Sequence, residues 1–343
     1  MQQKMPLLTI VVPCYNEEEV LGDTIAQLSG VLDNLIEDHL IAPTSKLLFV
    51  DDGSKDQTWR LIARACSHNK YVTGVKLAKN VGHQLALLAG LERAQTISDC
   101  TISIDADLQD DISVIRDFAL KYQEGYDIVY GVRQNRETDT LFKRSTAQGY
   151  YRIMNKLGIP LVYNHADYRL MSKRALLELC RYRETNLFLR GIIPLIGLKT
   201  TEVYYDRKER LAGETKYPLK KMLSFAINGL TSFSIAPIRF VTYLGLVIFF
   251  ISGLAGSYAL LQKLMGATDA GWTSLMISIW TIGGLQLMGI GLIGEYISRI
   301  FLEVKGRPKY AIDIDLYTDK DPLKYFRTNR GEVMKVKKVQ WKR

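Results

Sequence analysis

Two long uncharged stretches near the C-terminus constrain this chain more than any other feature. Residues 240–262 run for 23 positions and residues 271–294 for 24 positions without Asp, Glu, Lys or Arg. As helices, at roughly 1.5 Å per residue, each extends about 34–36 Å, enough to cross a hydrocarbon core of about 30 Å. A buried helix of a soluble protein seldom stays uncharged for that length. The pair reads as a transmembrane hairpin, with residues 236–299 as its bounds.

Charge placement orients the hairpin. The connection at 263–270 is short and holds one Lys and one Asp, whereas Arg299, Lys305, Arg307, Lys309 and a Lys-rich end at Lys335, Lys337, Lys338, Lys342 and Arg343 follow the second stretch. The positive-inside rule then places both termini in the cytoplasm, and a bacterial inner membrane is the expected location. Residues 216–235 are basic at the start and apolar later, which reads as an amphipathic helix lying in the membrane interface. Residues 300–343 read as a cytoplasmic tail. The formal charge of +9 suits an anionic surface or a phosphorylated substrate. No zinc-finger spacing or basic-aromatic stripe is present, so nucleic acid is not expected as a partner. Cys14, Cys66, Cys100 and Cys180 lie far apart, as reduced thiols would. The apolar run at 6–13 is short and soon followed by Glu17-Glu18-Glu19, so it is no secretory signal.

The first 130 residues alternate short β-rich runs (7–13, 46–51, 71–77, 101–105 and 126–131) with amphipathic stretches such as 56–68 and 84–95. That alternation implies βαβ units and a mainly parallel sheet, an α/β domain over residues 1–215. Residues 138–182 read as helical around a polar turn at 163–168, and 199–205 as one more strand. In parallel sheets ligands sit beyond the carboxyl ends of the strands. The acidic clusters fall at those ends: Asn16-Glu17, Asp51-Asp52 and Asp105-Ala106-Asp107.

Each cluster has a chemistry. Asp105 and Asp107, directly after the apolar run Thr101-Ile102-Ser103-Ile104, can share a hard divalent cation, Mg²⁺ or Mn²⁺, with a diphosphate. Val11-Val12-Pro13-Cys14-Tyr15-Asn16-Glu17 leads from a strand into a helix without the glycines of a dinucleotide fold. The string Gly289-Ile290-Gly291-Leu292-Ile293-Gly294 does match that pattern, but it lies inside the second uncharged stretch, where small residues serve helix packing. In Phe49-Val50-Asp51-Asp52-Gly53-Ser54 a carboxylate can accept a hydrogen bond from a ring N–H of uracil or guanine, while Ser54 or Asp56 can equally cap the next helix. None of the four histidines is spaced as His-x-x-x-His, so none is expected to hold a metal.

Together these motifs resemble family 2 glycosyltransferases of the GT-A fold. More narrowly, the chain is similar to polyisoprenyl-phosphate glycosyltransferases such as dolichol-phosphate mannose synthases and bactoprenol glucosyltransferases. The similarity continues through Asn80-Val81-Gly82, Gly131-Val132-Arg133, Asn164-His165-Ala166-Asp167-Tyr168-Arg169-Leu170-Met171 and the run from Arg210 to Tyr217, then through both uncharged stretches. It implies a nucleotide-sugar donor, a UDP-sugar favoured, and a polyisoprenyl phosphate acceptor at the bilayer; assembly as a homo-oligomer is compatible with it. It also implies residue roles. Pro13, Tyr15, Glu17 and Asp52 would hold base and ribose. Asp105, Asp107 and Gln109 would hold the metal and diphosphate. Arg133, Arg144 and Gln148 would meet the lipid phosphate, the last at a position where relatives often carry Ser. Arg210 and Lys216 would close over the donor, and Asp107, Asp167 and Arg133 would surround the reacting centre.

Physical reasoning adds to the role of Asp167. A lipid monophosphate has a second pKa of about 6, so at neutral pH its oxygen is already an anion and needs no base. Asp167 is therefore expected to orient Arg133 or a sugar hydroxyl; an ion pair with Arg169 or Arg174 is the structural alternative. One displacement at the anomeric carbon would invert configuration. Two other functions fit less of the chain. A processive polysaccharide synthase would carry Gln-x-x-Arg-Trp and more spans. A non-catalytic, membrane-tethered nucleotide-binding protein would not need every acidic metal position filled.

Overall fold

The structure, a computed structural model, describes residues 5–134, 165–184, 189–206 and 271–318, with scattered positions between 241 and 265. Strands β1 (Leu8–Cys14), β2 (Lys46–Asp51), β3 (Val72–Leu77), β4 (Cys100–Ser103), β5 (Ile128–Arg133), β6 (His165–Ser172), β7 (Thr200–Tyr205) and β8 (Ile312–Asp315) form one sheet in the order β7-β5-β6-β4-β1-β2-β3-β8. β3, β2, β1 and β4 run parallel. The expected α/β class and mainly parallel sheet hold.

Helices cover both faces. α1 (Leu21–Glu37), α2 (Thr58–His68) and α4 (Ile115–Gln123) pack on one, and α3 (His83–Ala94), α5 (Lys173–Leu179) and α6 (Leu189–Leu195) on the other. Burial on both sides explains why β1 and β2 are almost continuous apolar runs. Pro13 is tolerated in a central strand for a visible reason. Residues 9, 11 and 13 turn their backbone toward β4, the last β1–β4 pair is Val11 with Ser103, and so Pro13 lacks its N–H where β4 has already ended.

Two elements differ from the sequence reading. Residues 165–172, expected within a helical region with a turn, form β6, antiparallel between β4 and β5. Tyr168, Arg169, Leu170 and Met171 are all buried, so neither face shows the polar alternation that marks a strand. The segment after residue 306, expected as a tail, returns to the sheet as β8, antiparallel to β3. It is fastened by Arg93 to Asp315, by Lys76 to Asp313, and by the Tyr317 hydroxyl, 3.0 Å from both Thr9 Oγ1 and Ser98 Oγ.

α7 (Trp272–Lys305) is a continuous helix of 34 residues that contains nearly all of the second uncharged stretch and continues through Glu295, Arg299, Glu303 and Lys305. Among the described residues no helix combines the length and apolarity needed to cross a membrane. The interfacial segment at 216–235 lies outside the described residues, as does most of the stretch at 240–262.

Candidate active site

Parallel β1–β4 end at one edge of the sheet. β6 runs the other way and brings its beginning to the same edge, while β5 brings its end. Asn16, Asp52, His83, Asp105, Arg133 and Asp167 therefore converge from six segments of chain.

The loops after β1 and β2 are tied together. The Asn16 N–H donates to Ser54 Oγ at 3.0 Å, the Lys55 N–H to Asn16 Oδ1 at 2.9 Å, and the Glu17 N–H to Thr58 Oγ1 at 2.9 Å. Asp52 is buried, and its two carboxylate oxygens receive the N–H groups of Val81 and Gly82 at 2.7 and 2.9 Å. In this structure Asp52 fixes the loop that launches α3. Its neighbour Asp51 is fully buried, and its Oδ2 has no hydrogen-bond partner among the described residues. Gly53 has φ +66°, and a Cβ there would stand 2.7 Å from the Asn80 nitrogen, so only glycine lets the two loops meet. Tyr15 stands exposed at the rim.

The acidic turn after β4 is held at several points. Thr24 on α1 donates to the Ala106 carbonyl at 2.7 Å, and the Tyr168 hydroxyl to the Asp111 carbonyl at 3.0 Å. Leu108 adopts φ +45°, a conformation that costs a non-glycine residue roughly 1–2 kcal/mol, and its buried side chain anchors the turn. Burial pushes the Asp105 carboxyl above its usual range; His83 opposes this, and Asp167, Asp110 and Asp107 add to it. A carboxyl crowded by three others suits a cation. Asp105 and Asp107 are hard oxygen donors of the kind Mg²⁺ or Mn²⁺ takes, and two protein carboxylates leave positions for diphosphate oxygens. Among the described residues no group of three or more His, Cys, Asp or Glu side chains is arranged to hold a metal. Gln109 is buried beneath the turn, its N–H 3.4 Å from Asp107 Oδ1.

Two cation–carboxylate units complete the cleft. Arg133 donates through Nε and Nη2 to Asp110 Oδ1 at 3.1 and 2.8 Å, and Tyr205 donates to the same oxygen at 2.6 Å. Asp167 lies between Arg169, which is buried, and Arg190 on α6, whose Nε and Nη2 reach its two oxygens at 3.2 and 3.0 Å. His83 Nε2 lies 3.7 Å from Asp167 Oδ2 and 3.6 Å from Asp105 Oδ1. Burial would raise the Asp167 carboxyl, but Arg190, His83 and Arg169 outweigh it and hold the group well below the usual carboxylate range. The expected link from Asp167 to Arg133 is not what forms: Asp110 orients Arg133, and Asp167 orients Arg190. Arg169 is its expected partner, while Arg174 lies 4.0 Å from Asp127. Arg144, Gln148, Arg210 and Lys216 lie outside the described residues.

Sequence reasoning passed over His83, Arg190, Tyr205 and Thr24. His83 had a usable signal, since it opens the helix after β3 at the ligand edge. Arg190 had none.

A mainly parallel sheet with carboxylates and arginines gathered at its ligand edge suits phosphorylated ligands. The family model described as Glycosyl transferase family 2 matches residues 9–180. The chain is 71% identical over 319 residues to an uncharacterized glycosyltransferase, YkoT, of Bacillus subtilis (strain 168), covering 93% of this chain and 95% of that one. It is 39% identical over 310 residues to the SfII prophage-derived bactoprenol glucosyl transferase of Shigella flexneri, covering 89% and 97%. Among solved structures, glucosyl-3-phosphoglycerate synthase of Mycobacterium tuberculosis matches with a TM-score of 0.41 and 16% identity over 66% of this chain and 78% of that one. The chain belongs to glycosyl transferase family 2 and is a glycosyltransferase.

Proposed function

We propose that the protein transfers a hexose, with glucose from UDP-glucose the best fit, to a polyisoprenyl phosphate at the cytoplasmic membrane face, inverting the anomeric carbon. One observation carries the reading. Asp167 is held ionised by two arginines and a histidine, so it is a poor proton acceptor, and a hydroxyl acceptor would lack a base there. A phosphate acceptor needs none. The relatives named bactoprenol glucosyl transferase, about 39% identical and matched over nearly their whole length, support the same acceptor class and sugar.

In the reaction an acceptor phosphate oxygen attacks the anomeric carbon, and the bond from that carbon to the donor diphosphate breaks with its electron pair leaving on the nucleoside diphosphate. Mg²⁺ or Mn²⁺, held by Asp105 and Asp107 with Gln109 beneath, would supply neutralising charge for that diphosphate. Arg190, placed by Asp167, and Arg133, placed by Asp110, offset the repulsion between two anions brought into contact. Asp52 at the end of β2 and Tyr15, exposed beside it, would meet the base and ribose, as the family resemblance implies.

The membrane location rests on the uncharged stretches and on α7, where Leu287, Met288 and Ile290 are 71%, 67% and 65% exposed. Such an apolar surface is unfavourable in water and favourable in lipid. The test is a radiolabelled donor panel (UDP-glucose, UDP-galactose, UDP-N-acetylglucosamine, GDP-mannose) with undecaprenyl phosphate and divalent ion. Label from UDP-glucose in organic-extractable lipid is expected. Label in a water-soluble polymer, or none in lipid from any donor, would overturn the reading.

A further inference from the structure

Resting on the phosphate-acceptor reading, we propose that His83 is a positioning residue that sets the spacing between the donor and acceptor halves of the cleft. Asp105 follows β4 on the donor side. Asp167 lies near the start of β6 and carries Arg190 on the acceptor side. His83 Nε2 lies between them, 3.6 Å from one carboxylate and 3.7 Å from the other. Two carboxylates that share a cleft repel each other, and a ring nitrogen facing both fixes how far apart they stand.

The place of His83 is itself set from two directions. Behind it, Gly82 has φ +94°, and Asp52 grips the N–H groups of Val81 and Gly82, so the first residue of α3 has little freedom. Beside it, Gln84 Oε1 accepts the Leu189 N–H at 3.3 Å, which ties the start of α3 to the start of α6, one residue before Arg190. A single rigid segment thus touches the acidic turn through His83 and the Arg190 helix through Gln84. Asp52 takes a role in that chain beyond any contact with the base: it holds the residue that holds the two halves in register. A misplacement of about 1 Å between reacting groups can reduce turnover about 100-fold.

The test uses the full chain in lipid nanodiscs, with Mn²⁺·UDP and farnesyl phosphate as probes and binding measured by calorimetry. In the parental protein, saturating Mn²⁺·UDP is expected to change the Kd of farnesyl phosphate by about fivefold or more. In His83→Ala that factor should fall to within about twofold of unity, with Mn²⁺·UDP affinity altered less than about threefold and kcat reduced about 10–100-fold. His83→Gln, which keeps an N–H donor, should regain part of both and serves if the alanine variant melts early. Parental coupling and kcat in both variants would overturn the inference. So would a loss of Mn²⁺·UDP affinity beyond about tenfold, which would make donor binding, and not the register of the two halves, the main role of His83. If the parental chain does not bind farnesyl phosphate, the acceptor reading falls and this inference with it; binding with unaltered coupling in the variants sinks the inference alone.

Discussion

Arg190 grips Asp167 with two nitrogens, Nε at 3.2 Å from one carboxylate oxygen and Nη2 at 3.0 Å from the other. The planar guanidinium and carboxylate match as a fork on a fork, an arrangement a lysine could not reproduce. Behind them Arg169 contacts the same carboxylate from a position only 1% exposed. One carboxylate therefore keeps two arginines in place, and removing its charge disturbs both stability and the cleft.

Asp167→Asn should destabilise the protein by about 3–5 kcal/mol at pH 7, because it leaves Arg169 buried without its counter-charge. The folded carboxyl is depressed, so its contribution is fully present above the unfolded value of about 3.9 and is lost only as pH falls through the lower folded value. The melting gap between parent and variant should widen as the pH falls from 8 to 5, because Asp167 helps raise the His83 pKa and so favours the protonated ring. The gap should narrow only in stronger acid.

Asp110 plays the matching role for Arg133. Asp110→Asn should cost about 1.5–3 kcal/mol, and Tyr205→Phe about 1 kcal/mol, since the tyrosine gives one hydrogen bond to the same oxygen. The double variant should lose less than the sum, because both changes act on one network. Urea unfolding of the four proteins measures this directly.

Asp105→Asn and Asp107→Asn should each reduce kcat about 100–1000-fold, the scale of several kcal/mol of lost charge stabilisation. Chelation of the parent should do the same and be reversed by Mn²⁺ or Mg²⁺. In metal-free buffer Asp105→Asn should melt no lower than the parent, since it removes one charge from a crowded acidic group. Full turnover by the chelated protein would remove the metal from the account.

Gly53→Ala should destabilise by more than about 1 kcal/mol, combining a left-handed backbone with a Cβ 2.7 Å from the Asn80 nitrogen. The loop that Asp52 fixes would shift with it. A raised KM for the donor is the kinetic counterpart, read from initial rates at saturating acceptor.

Much of this was legible before any coordinates. β1, β2 and β3 announce themselves as short, largely apolar and β-branched runs, and the ends of β1, β2 and β4 carry the acids that the parallel-sheet rule locates. β6 was hidden because the buried Arg169 breaks its apolar pattern and both faces are covered. β8 was hidden because Ile312-Asp313-Ile314-Asp315 is only four residues long and follows a long apolar helix, a context that reads as a tail. The cation partners were the least visible. Arg133 pairs with Asp110 and Arg190 with Asp167, each across 23 residues of sequence, and only the sheet order decides which arginine meets which carboxylate. His83 has no histidine partner in sequence, and its neighbours in space are carboxylates from the turn after β4 and from β6.

The measurement that bears most directly on a phosphate acceptor working without a protein base is the pH dependence of kcat/KM with two acceptors. One is a prenyl monophosphate, with a second pKa of about 6; the other is its methylene phosphonate analogue, whose second ionisation lies higher. The expected result is an acid limb that moves upward with the acceptor, with no further carboxylate limb between pH 5 and 9. A limb that stays at one pH while the acceptor changes, and that remains in His83→Gln, would place a titrating base on the protein and contradict the assignment of Asp167.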